Sequence, residues 1–222
     1  IHDDIEDASA ERHHQAAVWK LWGEAQAINA GDAVYALAHL ALLRLKEMSL
    51  APEKFAHSLK ILDEACLRLC EGQYLDIAYE SRTDITIEDY LDMIAKKTAA
   101  LMAASTCLGV LIALETGDER TLDSFYSFGK ELGLAYQIRD DILGIWGSEK
   151  KTGKPTGDDI VKKKKALPVI YGLQHAGNKE RERLLEIYCK TTIREADIAK
   201  VTEILDAVRA KSYSQALAER YY

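Results

Sequence analysis

The sequence predicts an all-α fold, a single-domain helical bundle, and three observations carry that prediction. Only three prolines, Pro52, Pro155 and Pro168, interrupt 222 residues. Alanine and leucine fill long stretches without turn clusters, which is a helical composition. Apolar residues recur three and four positions apart, the spacing of a buried helix face. The length suffices for one sizeable core, and no segment reads as a linker that would divide it.

Each element follows from local signals. The first aspartates close one helix, and a polar stretch bearing His13 and His14 runs to about position 15. Over 18–48 the stripe Leu21, Ala25, Ile28, Val34, Leu37, Leu40 and Leu43 is helical, with Gly31-Asp32 either kinking it or making room for a neighbour. Pro52 opens the next helix, which carries Phe55, Leu59, Leu62, Cys66 and Leu69 to about Tyr79. Thr86-Ile87-Glu88-Asp89 has the form of a helix start, and that helix runs through Met93, Lys97, Leu101 and Leu108 to about Leu114. A long helix is expected over 119–146. After a loop over 147–159 come three shorter helices over 166–175, 179–189 and 194–217. No internal repeat is visible.

Charge narrows the partners. With 29 Lys and Arg against 36 Asp and Glu, the net charge is -7, and no basic face is evident outside the run Lys162-Lys163-Lys164-Lys165, so nucleic acid is excluded as a partner. The four cysteines, Cys66, Cys70, Cys107 and Cys189, accompany no secretory signal and no apolar span of membrane length, so a reduced cytoplasmic setting without a stable membrane span is the expectation. Cys66 and Cys70 share a helix face and read as small core residues.

Two acidic clusters point to chemistry. Asp3-Asp4-Ile5-Glu6-Asp7 opens the chain, and Asp140-Asp141-Ile142-Leu143-Gly144 lies deep within it. At helical pitch Asp3 and Asp7 share a face. Carboxylates crowded against Ile, Leu and Trp repel one another unless a cation intervenes, and an oxygen-only set suits magnesium. Around the clusters stand Arg12, Lys97-Thr98, Gln137, Thr152-Gly153-Lys154-Pro155 and the lysine run. Carboxylates together with cations compose a metal-bridged diphosphate site. Solvated helix caps and surface ion pairs would explain one cluster, but not the whole set.

These residues resemble the trans-isoprenyl diphosphate synthases, the polyprenyl synthetase family. Residues 1–32 resemble its first aspartate-rich motif and the following helix. Gly72-Gln73 with Asp76, and Tyr90-Leu91-Asp92-Met93-Ile94 with Lys97-Thr98, resemble its middle motifs. The segment 136–144, with Gly153-Lys154-Pro155 and Lys164-Lys165-Ala166-Leu167-Pro168, resembles its second aspartate-rich region. The motifs follow one another in the family's order over almost the whole chain.

The resemblance implies a bundle of the isoprenoid synthase type with a central cavity. It implies a prenyltransferase that condenses an allylic diphosphate with isopentenyl diphosphate, giving a longer trans-polyprenyl diphosphate and pyrophosphate. A terpene cyclase and a catalytically silent partner of a heteromeric synthase share the fold and are the alternatives. On the same resemblance Asp3, Asp4, Asp7, Asp140 and Asp141 hold about three magnesium ions once diphosphate is bound, manganese being a possible substitute. Arg12, Lys97, Thr98, Gln137, Lys154 and Lys164 contact the allylic diphosphate. Asp3, Asp4, Asp7, Lys97, Asp140 and Lys154 are the candidate catalytic residues. A homodimer is implied as well, and the apolar stretch over 95–114 offers it a surface.

Three departures stand out. Arg12-His13-His14 replaces the family's usual Arg-Arg-Gly, and the second motif ends in Gly144 where many members carry aspartate. A chain opening at Ile1, two residues before the first motif, reads as part of a longer one whose front carries the isopentenyl diphosphate contacts. For product length only one wall is legible: small side chains at Ala36, Ala38, Ala41 and Ala103 would leave a deep channel for medium-length products.

Overall fold

The computed structural model describes residues 1–12, 14–47, 50–114, 118–148 and 156–222. The chain divides into two compact units, Ile1–Lys60 and Ile61–Tyr222, with the boundary falling inside one long helix.

In the first unit, α1 (His2–Glu6) carries the leading aspartates. The polar stretch after it forms a two-residue antiparallel ladder, β1 (Glu11–Arg12) with β2 (Gln15–Ala16), an addition to the helical expectation. The helix predicted over 18–48 is broken, and not at Gly31. α2 (Val18–Trp22) ends at Gly23, whose φ of 84° is open to glycine, and α3 (Glu24–Leu43) follows. Gly31 lies inside α3 and admits His2: a Cβ there would fall 2.3 Å from the imidazole Nε2. α4 (Pro52–Glu80) then begins at Pro52 as its sequence predicts.

The second unit holds the core. α5 (Ile87–Ile94) starts in a capping box in which the Thr86 side chain accepts from Asp89 N at 3.0 Å and Asp89 accepts from Thr86 N at 2.9 Å. A π-helical turn over Ala95–Ala99 connects α5 to α6 (Ala100–Ala113), so the run expected as one helix changes pitch at Lys97-Thr98. α7 (Glu119–Trp146) packs along α6, its first turn capped by Asp118. There follow α8 (Asp158–Val161), α9 (Leu167–His175) and α10 (Asn178–Tyr188). The predicted last helix is two, α11 (Glu195–Ala207) and α12 (Ala210–Arg220), separated where Arg209 takes a left-handed φ of 58°.

One apolar cluster joins Tyr79, Tyr90, Ile94, Ile138, Leu167 and Leu217, drawn from α4, α5, α7, α9 and α12. A second gathers Ile145, Ile160, Val169, Leu184, Val201 and Leu205 from the helices after the second acidic motif. The run Ile87–Ala113 reaches a mean hydropathy of 1.3 and is long and apolar enough to cross a membrane, contrary to the reading that no such span exists. Here Tyr90, Ile94 and Ala99 of this run belong to the first cluster, and Leu111 to a smaller one with Cys107 and Leu122. Two further expectations are corrected by burial. Cys70 is exposed and Cys66 only half-buried, so neither is the core residue expected. Ala103 is fully buried against α7, where a Cβ on Gly129 would meet its Cα at 2.7 Å, so it is a packing residue and lines no open channel.

Candidate active site

In the first unit the acidic cluster is organised by one guanidinium. Arg12 donates Nε–H to Asp4 Oδ1 at 2.7 Å and Nη2–H to Asp3 Oδ2 at 3.0 Å. Asp4 is only 3% exposed, and burying it beside Asp3 would be costly without that cation. The sequence assigns Arg12 to the substrate, whereas its guanidinium is engaged by two of the carboxylates it follows. Asp7 closes α1, and Trp19 Nε1–H donates to Ser9 O at 2.7 Å, which secures the loop between them.

In the second unit the predicted residues converge on a cleft of about 30 Å³ lined by Asp76, Lys97, Gln137, Asp140, Asp141, Asp159, Lys164 and Lys165, together with Tyr90, Met93, Ile94 and Ala166. α7 presents Gln137, Asp140 and Asp141 one helical turn apart. Asp140 is exposed and Asp141 is buried.

Asp141, assigned as a metal ligand, is enclosed by donors of the protein itself. Tyr90 Oη donates to its Oδ2 at 2.7 Å, Leu167 N to the same oxygen at 2.9 Å, and Gln137 Nε2 to Oδ1 at 3.1 Å. Burial pushes its carboxyl up to about 6, against the downward pull of those three donors. With both oxygens engaged by the protein, Asp141 is a hub tying α5, α7 and α9 together, and Asp140 is the carboxylate facing outward. Gln137 in turn accepts from the Thr98 hydroxyl at 2.7 Å, so Thr98, Gln137 and Asp141 form one chain.

Lys97 reaches from the π-turn to Asp76 on α4, with Nζ 2.6 Å from Oδ2. The lysine run separates by role. Lys162 pairs with Asp158 at 3.1 Å, and Lys163, left-handed at φ 56°, donates to the Lys190 carbonyl. Lys164 lines the cleft. Lys165 does too, although it is 7% exposed, lies 4.9 Å from the centre of the Tyr188 ring, and has its ammonium pKa lowered by burial. Lys154, with Thr152, Gly153 and Pro155, lies outside the described residues.

The polyprenyl synthetase family model matches residues 1–205. The chain belongs to the polyprenyl synthetase family. It is 38% identical over 218 residues to the short chain isoprenyl diphosphate synthase of Methanothermobacter thermautotrophicus, covering 98% of this chain and 65% of that one. Geranylgeranyl pyrophosphate synthetase from Pyrococcus horikoshii superposes with a TM-score of 0.89 at 35% identity over 99% of this chain and 65% of its own. A geranylgeranyl pyrophosphate synthase from Corynebacterium glutamicum, solved with isoprenyl diphosphate and magnesium, superposes at 0.86 with 28% identity over 99% and 66%. The chain thus spans about two thirds of the length of these polyprenyl synthetases.

The motifs read from the sequence do not include Asp159. Its carboxylate occupies the space beside Gly144, where a Cβ would fall 2.0 Å from Asp159 Oδ2, so the short ending of the second motif makes room for an acid from α8. A signal was present: Asp158-Asp159-Ile160 repeats the Asp-Asp-Ile triplet of both named motifs. Among the described residues no three carboxylate, imidazole or thiol groups assemble as a ready-made metal cage. An oxygen set of this kind fits magnesium, which takes one or two carboxylates and fills its shell with water and phosphate oxygens.

Proposed function

We propose that the protein is a trans-isoprenyl diphosphate synthase, transferring an allylic group to isopentenyl diphosphate with magnesium as cofactor. The observation that carries this reading is the cleft of the second unit, where Asp140 and Asp159 stand among the ammonium groups of Lys97, Lys164 and Lys165. Magnesium, when bound, neutralises the negative charge that grows on a departing pyrophosphate. Asp140 in the second unit is a candidate ligand for it, and by their motif Asp3, Asp4 and Asp7 are the candidates in the first.

The side chains of the cleft do the rest. Lys97 and Lys164 supply fixed positive charge to diphosphate oxygens, the Thr98 hydroxyl supplies a hydrogen bond, and Lys154 belongs to the same set by its motif. The Tyr90, Gln137 and Leu167 donors to Asp141 keep the end of α7 in place beneath Asp140. Arg12 holds Asp3 and Asp4 side by side against their mutual repulsion.

Incubating the full-length protein with radiolabelled isopentenyl diphosphate and allylic primers of increasing length tests the reading. Label in a longer prenyl diphosphate is expected with at least one primer. Cyclised hydrocarbon from the primer alone, or no product with any primer, would favour a terpene cyclase or a silent subunit instead.

A further inference from the structure

The turn that bears Lys97 and Thr98 is gripped from two sides by residues without side chains. On α4, a Cβ at Gly72 would lie 2.2 Å from Lys97 N and 2.6 Å from Lys97 Cα. On α7, a Cβ at Gly133 would lie 2.5 Å from Ala99 Cα and 2.8 Å from Ala99 Cβ. Both neighbours therefore approach backbone, where no rotamer change can relieve an added methyl group.

The gripped segment is the π-helical turn Ala95–Ala99 itself. A π-turn inserts an extra residue into a helix and re-aims the side chains around it, so its register decides which way each of them points. Here consecutive residues diverge. Lys96 pairs with Asp92 on its own helix at 2.7 Å, Lys97 crosses to Asp76 on α4 at 2.6 Å, and Thr98 crosses to Gln137 on α7 at 2.7 Å. Each crossing residue is aimed at the helix that supplies the adjacent glycine. Asp76 follows Gly72 by one turn on α4, and Gln137 follows Gly133 by one turn on α7.

We propose that Gly72 and Gly133 are positioning residues that fix the π-turn and thereby aim Lys97 and Thr98 into the diphosphate site. This rests on the assignment of those two side chains to the allylic diphosphate. Close contact at Gly72 sets how far the Lys97 backbone stands from Asp76, and contact at Gly133 does the same for Thr98 and Gln137. Gly109, further along α6, has nothing within 4 Å of an added Cβ and serves as the control.

The test uses the full-length protein and four single variants, Gly72→Ala, Gly133→Ala, Lys97→Ala and Thr98→Val, with the doubles Gly72→Ala/Lys97→Ala and Gly133→Ala/Thr98→Val. Gly109→Ala is carried alongside. The readouts are KM for the allylic primer, kcat, and thermal unfolding.

A displaced ammonium or hydroxyl predicts a KM raised about tenfold in each glycine variant with a smaller change in kcat. It also predicts that each double matches its Lys97→Ala or Thr98→Val parent within about twofold. Wild-type KM in both glycine variants, or effects that multiply in the doubles, would overturn the proposal. So would failure of both glycine variants to fold while Gly109→Ala folds, since the contacts would then serve the core alone. An unchanged KM in Lys97→Ala and Thr98→Val would instead refute the diphosphate assignment beneath it.

Discussion

The Tyr90 hydroxyl donates to the buried carboxylate of Asp141 at 2.7 Å, and this bond joins α5 to α7 in the floor of the cleft. The phenol is itself buried, and burial together with the adjacent carboxylate pushes its pKa well up, so it stays a donor throughout the working range of pH.

Removing that donor should weaken the fold more than it weakens binding. Tyr90→Phe leaves the shape of the site but deprives a buried carboxylate of one of three donors, a loss of about 1–3 kcal/mol. Denaturant unfolding of the variant reads it directly. A stability equal to that of the parent would mean that Leu167 N and Gln137 hold Asp141 unaided.

Lys97→Ala should raise the KM for the allylic primer by about tenfold to a hundredfold, the scale of one charge-assisted contact in a shielded site. Its effect on unfolding should be small, because the partner Asp76 is partly exposed and regains water. Steady-state kinetics with varied primer reads the first effect. An unchanged KM would return Lys97 to a structural pairing with Asp76.

Much of this site is legible in the sequence because its parts are local. The capping box at Thr86, the start of α4 at Pro52 and the limits of α7 are set by residues within a turn of each boundary. Other features depend on partners distant in the chain. The break at Gly23 in place of Gly31 is decided by whether a neighbour needs space, and His2 takes it at Gly31. Likewise the π-turn at Lys97 answers to Gly72 and Gly133, and the burial of Asp141 answers to Tyr90 and Leu167. Periodicity within a single helix carries no trace of these long-range contacts. Asp159 was legible as a third Asp-Asp-Ile triplet, yet only the fold brings it beside Gly144.

Acid should act in part through Asp197. Its carboxyl accepts from Lys190 Nζ at 2.5 Å and from Arg194 N at 3.1 Å, at the start of α11, and the Lys190 bond leads in holding its pKa below the usual carboxylate value. A depressed carboxylate adds stability that is present above the unfolded pKa and is lost as pH falls through the folded one. Asp197→Asn should therefore flatten the acid limb of the stability profile. Unfolding midpoints measured from neutral pH down to the carboxylate range decide it, and parallel profiles for variant and parent would contradict it.

A homodimer is the expected assembly, built on α3 and not on the stretch over 95–114. In that stretch Ala99, Ala100, Ala103, Ala104, Cys107 and Leu111 are buried within the chain. By contrast α3 exposes Ile28, Val34, Tyr35, Leu37, Leu40 and Leu43, an apolar surface of the kind that marks an interface. Sedimentation of the full-length protein at micromolar concentration should give a dimer, and Leu37→Glu with Leu40→Glu should shift it toward monomer. A monomeric parent would contradict this.

The central claim is that Asp140 and the carboxylates of the first motif hold a cation for diphosphate ionisation, and product formation under metal control tests it most directly. Radiolabelled isopentenyl diphosphate should enter longer product when magnesium is added back to EDTA-treated full-length protein. Asp140→Ala and Asp3→Ala should each lose that activity by about a hundredfold or more, with thermal unfolding close to the parent's. Near wild-type product from either variant, or from the EDTA-treated parent without added metal, would contradict the account.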